Sequence, residues 1–289
     1  MNILDCVVIG AGPAGMSAAL YASRGNLKTL MVEKECPGGK MLKTKVIENY
    51  LAGSIDSFKL ASDMFAHSIK FGAKYKQAKV LKIDSVENYK KITLDTGEEL
   101  YSYSIILAIG GKLSENSFKY DKYRNKGLSY CVICDANFYK DKEVAIIGDN
   151  RSIEDVDYLA NIAKKVYFIN KEEDCSNRSN VENLINIKDY DIQGESIVEN
   201  IIINDKKIPI DGVFYVSDSN SFSGIVENLK INNGYIAVDN YMHTSEEGIF
   251  ACGDIIDRNI KQVVTACGDG AIAGIEAIKY VNKCKNQVS

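Results

Sequence analysis

The sequence predicts an α/β protein of two Rossmann-like, three-layer nucleotide-binding-type domains, the second inserted into the first. Two stretches carry that reading: DCVVIGAGPAGMSAALYASR, Asp5 to Arg24, and EVAIIGDNRSIEDVDYLA, Glu143 to Ala160. Each runs from an apolar strand through a glycine turn into an amphipathic helix. Each is followed by a second apolar strand, KTLMVE at 28–33 and KVYFIN at 165–170, which makes two βαβ units in one chain. The insertion is read from the end of the chain. GIFACGD at 248–254 and KQVVTACGDGAIAGIEAIKYVNK at 261–283 read as a strand, a loop and a long helix with small residues for close packing.

Further β-rich stretches follow each unit: VLKID, KITL and YSIILAIG in the first half, ESIVENIII and GVFYVS in the second. They place a first nucleotide domain at 1–112, a central domain at 113–241, and a return to the first at 242–289. The 289 residues suffice for two domains, and 46% hydrophobic with 26% charged residues is the balance of a water-soluble globular chain. A net charge of -4 gives no reason to expect nucleic acid. The chain enters its first strand at Asp5 without a basic leader or a long apolar run, so a cytoplasmic protein without a membrane anchor is expected.

In the first loop, Gly10 permits the tight turn, Gly12 lets backbone approach a pyrophosphate, and Gly15 lets the helix pack closely on the strand. Pro13 and Ala14 open the helix, whose free N–H groups face the phosphates. Glu33 ends the second strand, 18 residues beyond Gly15, where a carboxylate can accept bonds from ribose hydroxyls. An adenine dinucleotide is expected here.

The second loop keeps only Gly148. Asn150 places a side chain where a pyrophosphate must approach, and Ile153 puts a branched one where helix and strand should touch. Asp149, Glu154 and Asp155 add negative charge at the helix start, where they suit the helix dipole themselves. After Asn170 and Lys171, the acids Glu172, Glu173 and Asp174 stand where an NADP 2′-phosphate would want arginine. Glu172 still offers a carboxylate to an NAD ribose, so that run alone does not exclude every nicotinamide nucleotide. The loop as a whole reads as a helix start and a solvated acidic turn.

Of eight cysteines only Cys131 and Cys134, in SYCVICD, have a motif spacing. CxxC points to a redox dithiol, since a helix start after the first cysteine lowers thiol pKa, and the adjacent Asp135 can carry a proton. Cys6, Cys36, Cys175, Cys252, Cys267 and Cys284 read as structural or incidental. No metal site is expected, because a second CxxC or CxxH is missing and His67 and His243 are the only histidines.

With these residues in place, the chain resembles the low-molecular-weight thioredoxin reductases over nearly its whole length and in order. The matching landmarks are GAGPAG from Gly10, GGK at Gly38–Lys40, ENYLAG at 48–53, SYCVICD at 129–135, GIFACGD, and KQVVTACGDGAIA at 261–273. The resemblance implies FAD on the first domain. Glu33 would lie at its ribose, Gly38, Gly39, Lys40 and Asn49 near the flavin, and Gly253 and Asp254 by the ribityl and pyrophosphate. Lys261, Gln262 and Val263 would meet the isoalloxazine, with Gly110 lining the same site. It also implies a homodimer and thioredoxin as partner, with Cys134 facing the flavin, Cys131 attacking thioredoxin and Asp135 as acid/base.

Departures from the family pattern gather in the second domain. GDNRSI replaces a GGGDSA-like loop, Asn170-Lys171-Glu172 ending at Ser176 replaces an HRRxxxR-like motif, and Asp218 replaces a glycine after GVFYVS. In the first, Lys40 replaces glutamine and Ile109 threonine. This pattern resembles the ferredoxin-dependent flavin thioredoxin reductases of clostridia, and it implies ferredoxin as electron donor. Three rivals stay open: an NAD(P)H-dependent reductase, a dithiol oxidase using oxygen, and a non-enzymatic flavin-carrying module, against which the intact CxxCD argues.

Overall fold

The computed structural model describes residues 3–51, 53–113, 119–124, 126–149, 152–170, 175–185, 187, 189–216, 218–219, 225–258 and 260–288. The chain divides into two compact units, 1–111 with 220–289, and 112–219.

The first unit opens with β1 (Ile3–Ile9), α1 (Pro13–Arg24) and β2 (Thr29–Glu33), followed by α2 (Ser57–Lys70), β3 (Lys74–Gln77), β4 (Val80–Val86), β5 (Tyr89–Leu94) and β6 (Glu99–Leu107). β1 lies between β2 and β6, parallel to both, and β3 extends the sheet parallel to β2. A strand with parallel neighbours on both sides is covered on both faces, which is why CVVI at 6–9 is apolar without alternation and fully buried. β4, β5 and the start of β6 form an antiparallel meander.

The second unit holds β7 (Leu128–Ser129), α3 (Val132–Asp135), β8 (Glu143–Gly148), α4 (Ile153–Ala160), β9 (Lys165–Asn170) and β10 (Val181–Leu184). It continues with β11 (Tyr190–Gln193), β12 (Asn200–Ile203), β13 (Lys206–Pro209) and β14 (Gly212–Tyr215). A five-stranded parallel sheet has the order β7–β14–β8–β9–β10, and β11–β12–β13 is an antiparallel meander. Alternate residues of β8 define three layers. Val144 and Ile146 pack with Val156 and Leu159 of α4, while Ala145 and Ile147 pack with Ile192, Ile201 and Ile203 of the meander.

The chain then returns to the first unit, where β15 (Ile249–Ala251) pairs with the second half of β6 and α5 (Val263–Val288) packs on α1. A Cβ at Gly270 would overlap the carbonyl oxygen of Ala14, so the two helices meet backbone to backbone. This is what the small residues of CGDGAIAG provide.

The return comes at 220, ahead of the 242 that the sequence suggested. Residues 225–241 belong to the first unit because Ile225, Val226, Leu229, Ile236 and Val238 feed its core and the Ile83 N–H donates to the Ile225 carbonyl at 2.7 Å. They lack the period of a strand or helix, and so gave no sign of their allegiance.

Candidate active site

On the first unit, β1 ends at Ile9 and α1 starts at Pro13, which leaves three residues for the turn. Gly10 has φ +104°, and a Cβ there would overlap the Ala108 carbonyl oxygen; a Cβ at Gly15 would overlap the Gly10 carbonyl oxygen. Beside Gly12 there is open space, with nothing within 4 Å of where a Cβ would point. The first turn of α1 carries neither an acidic residue nor a capping side chain. Its backbone N–H donors and the positive end of its dipole therefore meet that space unneutralised. This cradle fits an anionic pyrophosphate.

Glu33 closes the turn from β2, with one carboxylate oxygen accepting the Ala11 N–H at 2.9 Å and the other the Glu35 N–H at 3.0 Å. A carboxylate has about four acceptor positions, so the two it spends on backbone leave two for ribose hydroxyls. The Gly38 N–H donates to the Ala11 carbonyl at 2.8 Å, which binds the Gly38–Lys40 turn to the glycine loop. Lys40 Nζ reaches Asp254 Oδ2 at 3.5 Å, and Asn49 Nδ2 donates to Gln262 Oε1 at 2.8 Å. Residues more than 200 positions apart in the chain are thus paired on the first unit. Lys261 Nζ stands 3.6 Å from the ring centre of Tyr235, Val263 begins α5, and Gly110 follows β6 with φ +69°.

Asp269 is a residue that sequence reading missed. It is buried in α5, accepts the Gly253 N–H, and pairs with Arg258 Nη2 at 3.0 Å. Burial raises its pKa, and Arg258 counters that shift. It thereby holds the Gly253–Asp254 turn in place. The signal was available, since Asp269 is the one acid among the small residues from Thr265 to Gly274.

Burial pushes the thiol of Cys6 up to about 12 and that of Cys267 to about 11, and it raises Cys252 as well. All three are free thiols. Among the described residues no group of His, Cys, Asp or Glu is arranged to hold a metal ion, and no helix is long and apolar enough to cross a membrane.

On the second unit, Cys131 is disulfide-bonded and follows β7 directly. Cys134 lies in α3. That helix is one turn long, so it supplies much less of the dipole that the sequence suggested for lowering the thiol pKa. Local hydrogen bonds define the turn instead. Ser129 Oγ donates to Asp135 Oδ2 at 2.6 Å, the Cys131 N–H donates to Ser129 Oγ at 3.1 Å, and the Asp135 N–H donates to the Cys131 carbonyl at 3.2 Å. Burial, with the charges of Asp135 and Asp211, pushes the nearby Tyr139 hydroxyl up to about 12.

The second glycine turn is built differently. Its α-helix starts five residues after Gly148, and the buried Ser152 lies where a Cβ on Gly148 would have to go. The Asp149 N–H donates to Ser152 Oγ at 3.2 Å, so the loop spends a donor on its own side chain. Glu154 and Asp155 occupy the first turn of α4. Ile153, expected to obstruct this loop, packs half-buried with the helix-side core. Ser176, at the end of the replaced basic motif, donates to Asp157 Oδ1 at 2.6 Å. Asn150, Lys171, Glu172, Glu173 and Asp174 lie outside the described residues.

Residues 4–270 match the family described as pyridine nucleotide-disulphide oxidoreductase, and the chain belongs to that class of flavoprotein disulfide reductases. It is 34% identical to the thioredoxin reductase of Mycoplasmopsis pulmonis over 94% of this chain and 96% of that one. Within the class it is a low-molecular-weight thioredoxin reductase, an oxidoreductase of a family that binds FAD. The thioredoxin reductase structure from Streptococcus pyogenes superposes with a TM-score of 0.84 at 31% identity, covering 97% of this chain and 99% of that one. A ferredoxin-flavin thioredoxin reductase from Clostridium acetobutylicum is also 31% identical, with a TM-score of 0.58 over 99% of this chain and 100% of that one.

Proposed function

We propose that this reductase takes its electrons from reduced ferredoxin and passes them through FAD and the Cys131–Cys134 disulfide to thioredoxin, as a cytoplasmic homodimer. The observation that carries the donor assignment is the second glycine turn, whose helix opens on Glu154 and Asp155. The family's name favours the competing reading, a pyridine nucleotide as donor. Against it stand the acids at a helix start that would have to receive phosphate. The full-length likeness to a ferredoxin-flavin enzyme supports ferredoxin.

Bound on the first unit, FAD supplies a two-electron store that accepts electrons one at a time. The amide groups of α1 and the Gly10–Gly15 turn would hold its pyrophosphate and Glu33 its ribose, with the Lys40–Asp254 pair beside it. In this reading Cys134 is the cysteine that would exchange electrons with the flavin, and the reduced pair then reacts with thioredoxin. The Cys131 thiolate attacks thioredoxin's disulfide, bonding to one sulfur and releasing the other. Cys134, its proton taken by Asp135, attacks Cys131 Sγ, which re-forms the internal disulfide and frees the second sulfur. The first released sulfur takes a proton from solvent and the second takes the one held by Asp135, so two electrons and two protons have passed to thioredoxin. The test is anaerobic turnover: thioredoxin thiols should appear with ferredoxin kept reduced and stay at background with NADPH or NADH. Equal turnover with NADPH reverses the donor assignment, and oxygen uptake driven by a small dithiol without thioredoxin makes the protein an oxidase.

A further inference from the structure

The hydrogen bonds around Cys131 contain a group to which no role has been given. Ser129 ends β7, which is held in the parallel sheet by β14, with Ser129 opposite Phe214. Its side chain is buried, with the residue 4% exposed. A hydroxyl has one proton and two acceptor lone pairs, so its possible partners can be ordered. The proton goes to Asp135 Oδ2 at 2.6 Å, in preference to the Cys131 carbonyl at 3.3 Å, and a lone pair receives the Cys131 N–H at 3.1 Å.

Asp135 sits at the end of a one-turn helix, an element with little rigidity of its own. Ser129 is on the sheet. We propose that Ser129 is the positioning residue of the dithiol exchange: its hydroxyl fixes the Asp135 carboxylate for proton transfer while anchoring the backbone of Cys131. The inference rests on the reading of Asp135 as acid/base. A hydrogen bond to a carboxylate limits its rotation, which holds the Asp135 side chain in one orientation beside the Cys131 backbone. Tyr139 lies near enough for the charge of Asp135 to act on its hydroxyl. Its raised pKa keeps it neutral through the working range, so it does not compete as an anion.

Valine and threonine have nearly the same shape and differ by the hydroxyl, so Ser129→Val and Ser129→Thr separate chemistry from packing. Each variant is reduced with dithiothreitol, desalted and mixed with oxidised thioredoxin, and the release of thioredoxin thiols is followed by rapid quench. This bypasses the electron donor altogether. Ser129→Thr should exchange within about threefold of the unchanged protein, while Ser129→Val slows by about 10- to 100-fold, a typical share of general acid–base catalysis. In the Asp135→Asn background, Ser129→Val should cause no further loss, because both changes remove the same function. Equal rates for the Val and Thr variants overturn the inference, as does a double variant slower by the product of the two effects. Full speed in Asp135→Asn refutes the acid/base reading, and the role of Ser129 with it. A slow Asp135→Asn with a fast Ser129→Val removes only the role of Ser129.

Discussion

The two glycine turns, after β1 and after β8, share a parallel strand, a turn and a helix, but they differ at the helix start. α1 begins three residues after Gly10, with no acid in its first turn and open space at Gly12; α4 begins five after Gly148, behind Ser152, with Glu154 and Asp155 in its first turn. The sheet frame is kept by burial of Val144, Ile146, Val166 and Phe168, which needs no ligand. A phosphate site needs more. It requires unspent N–H donors and an unneutralised dipole, and these depend on a handful of residues that can change without disturbing the core. A βαβ unit can therefore outlive its nucleotide site as scaffold.

The largest expected effect comes from giving the first turn the acidic character of the second. Gly12 has φ -77° and ψ -177°, a conformation open to any residue, and there is room for a side chain. Gly12→Asp should fold normally and yet lose FAD affinity by at least about a thousandfold, because a carboxylate would face the pyrophosphate. Flavin released on denaturation, with far-ultraviolet circular dichroism as the folding control, measures both. Normal flavin content in Gly12→Asp would break the comparison.

A smaller loss should follow Asp269→Ala, which removes the acceptor of the Gly253 N–H and the partner of Arg258. Leaving such groups unpaired costs about 1–3 kcal/mol. FAD should dissociate roughly 10- to 100-fold more readily, as measured by titrating apoprotein with FAD. The reverse experiment opens the second turn. Glu154→Ala with Asp155→Ala should tighten NADPH binding by about tenfold in calorimetry, since each removed first-turn acid is worth about 0.3–1 kcal/mol. Unchanged NADPH affinity would shift the explanation to other residues of the second unit.

The smallest effect concerns the free thiols. Burial raises Cys6 and Cys267 above the ordinary value of 9.0, so at pH 8 both stay protonated, whereas Cys36 and Cys175 are exposed to reagent. Iodoacetamide at that pH should label Cys36 and Cys175 and spare Cys6 and Cys267, as peptide mapping will show. The same shifts act on stability. The native state keeps these protons where the unfolded chain releases them, so stability should fall as pH climbs from 9 through 11 for Cys267 and 12 for Cys6.

Where a residue type has one physical use at a given spacing, the sequence was legible. The Gly10, Gly12 and Gly15 set, the unbroken apolar β1 and the small residues of α5 each had a single reading, and the fold followed. Lys40 with Asp254 and Asn49 with Gln262 meet across more than 200 residues, and only the family resemblance anticipated their meeting. Other contacts were hidden because they depend on direction, which spacing does not carry. Ser152 looks like any helix-start serine until its position against Gly148 is known, and Ser129 looks incidental until its hydroxyl is seen on Asp135. The early return at 220 was hidden for another reason: an irregular segment has no period to betray which core it joins.

In the proposed function the first turn would hold FAD and the second would admit no nicotinamide donor. Stopped-flow reduction of the bound flavin tests it most directly. With reduced ferredoxin, bleaching should be fast and should slow as salt rises, as expected for electrostatically steered docking of an acidic carrier. Millimolar NADPH or NADH should leave the flavin oxidised on the same timescale. Rapid, complete bleaching by micromolar NADPH would contradict the account and restore the second turn as a working nucleotide site.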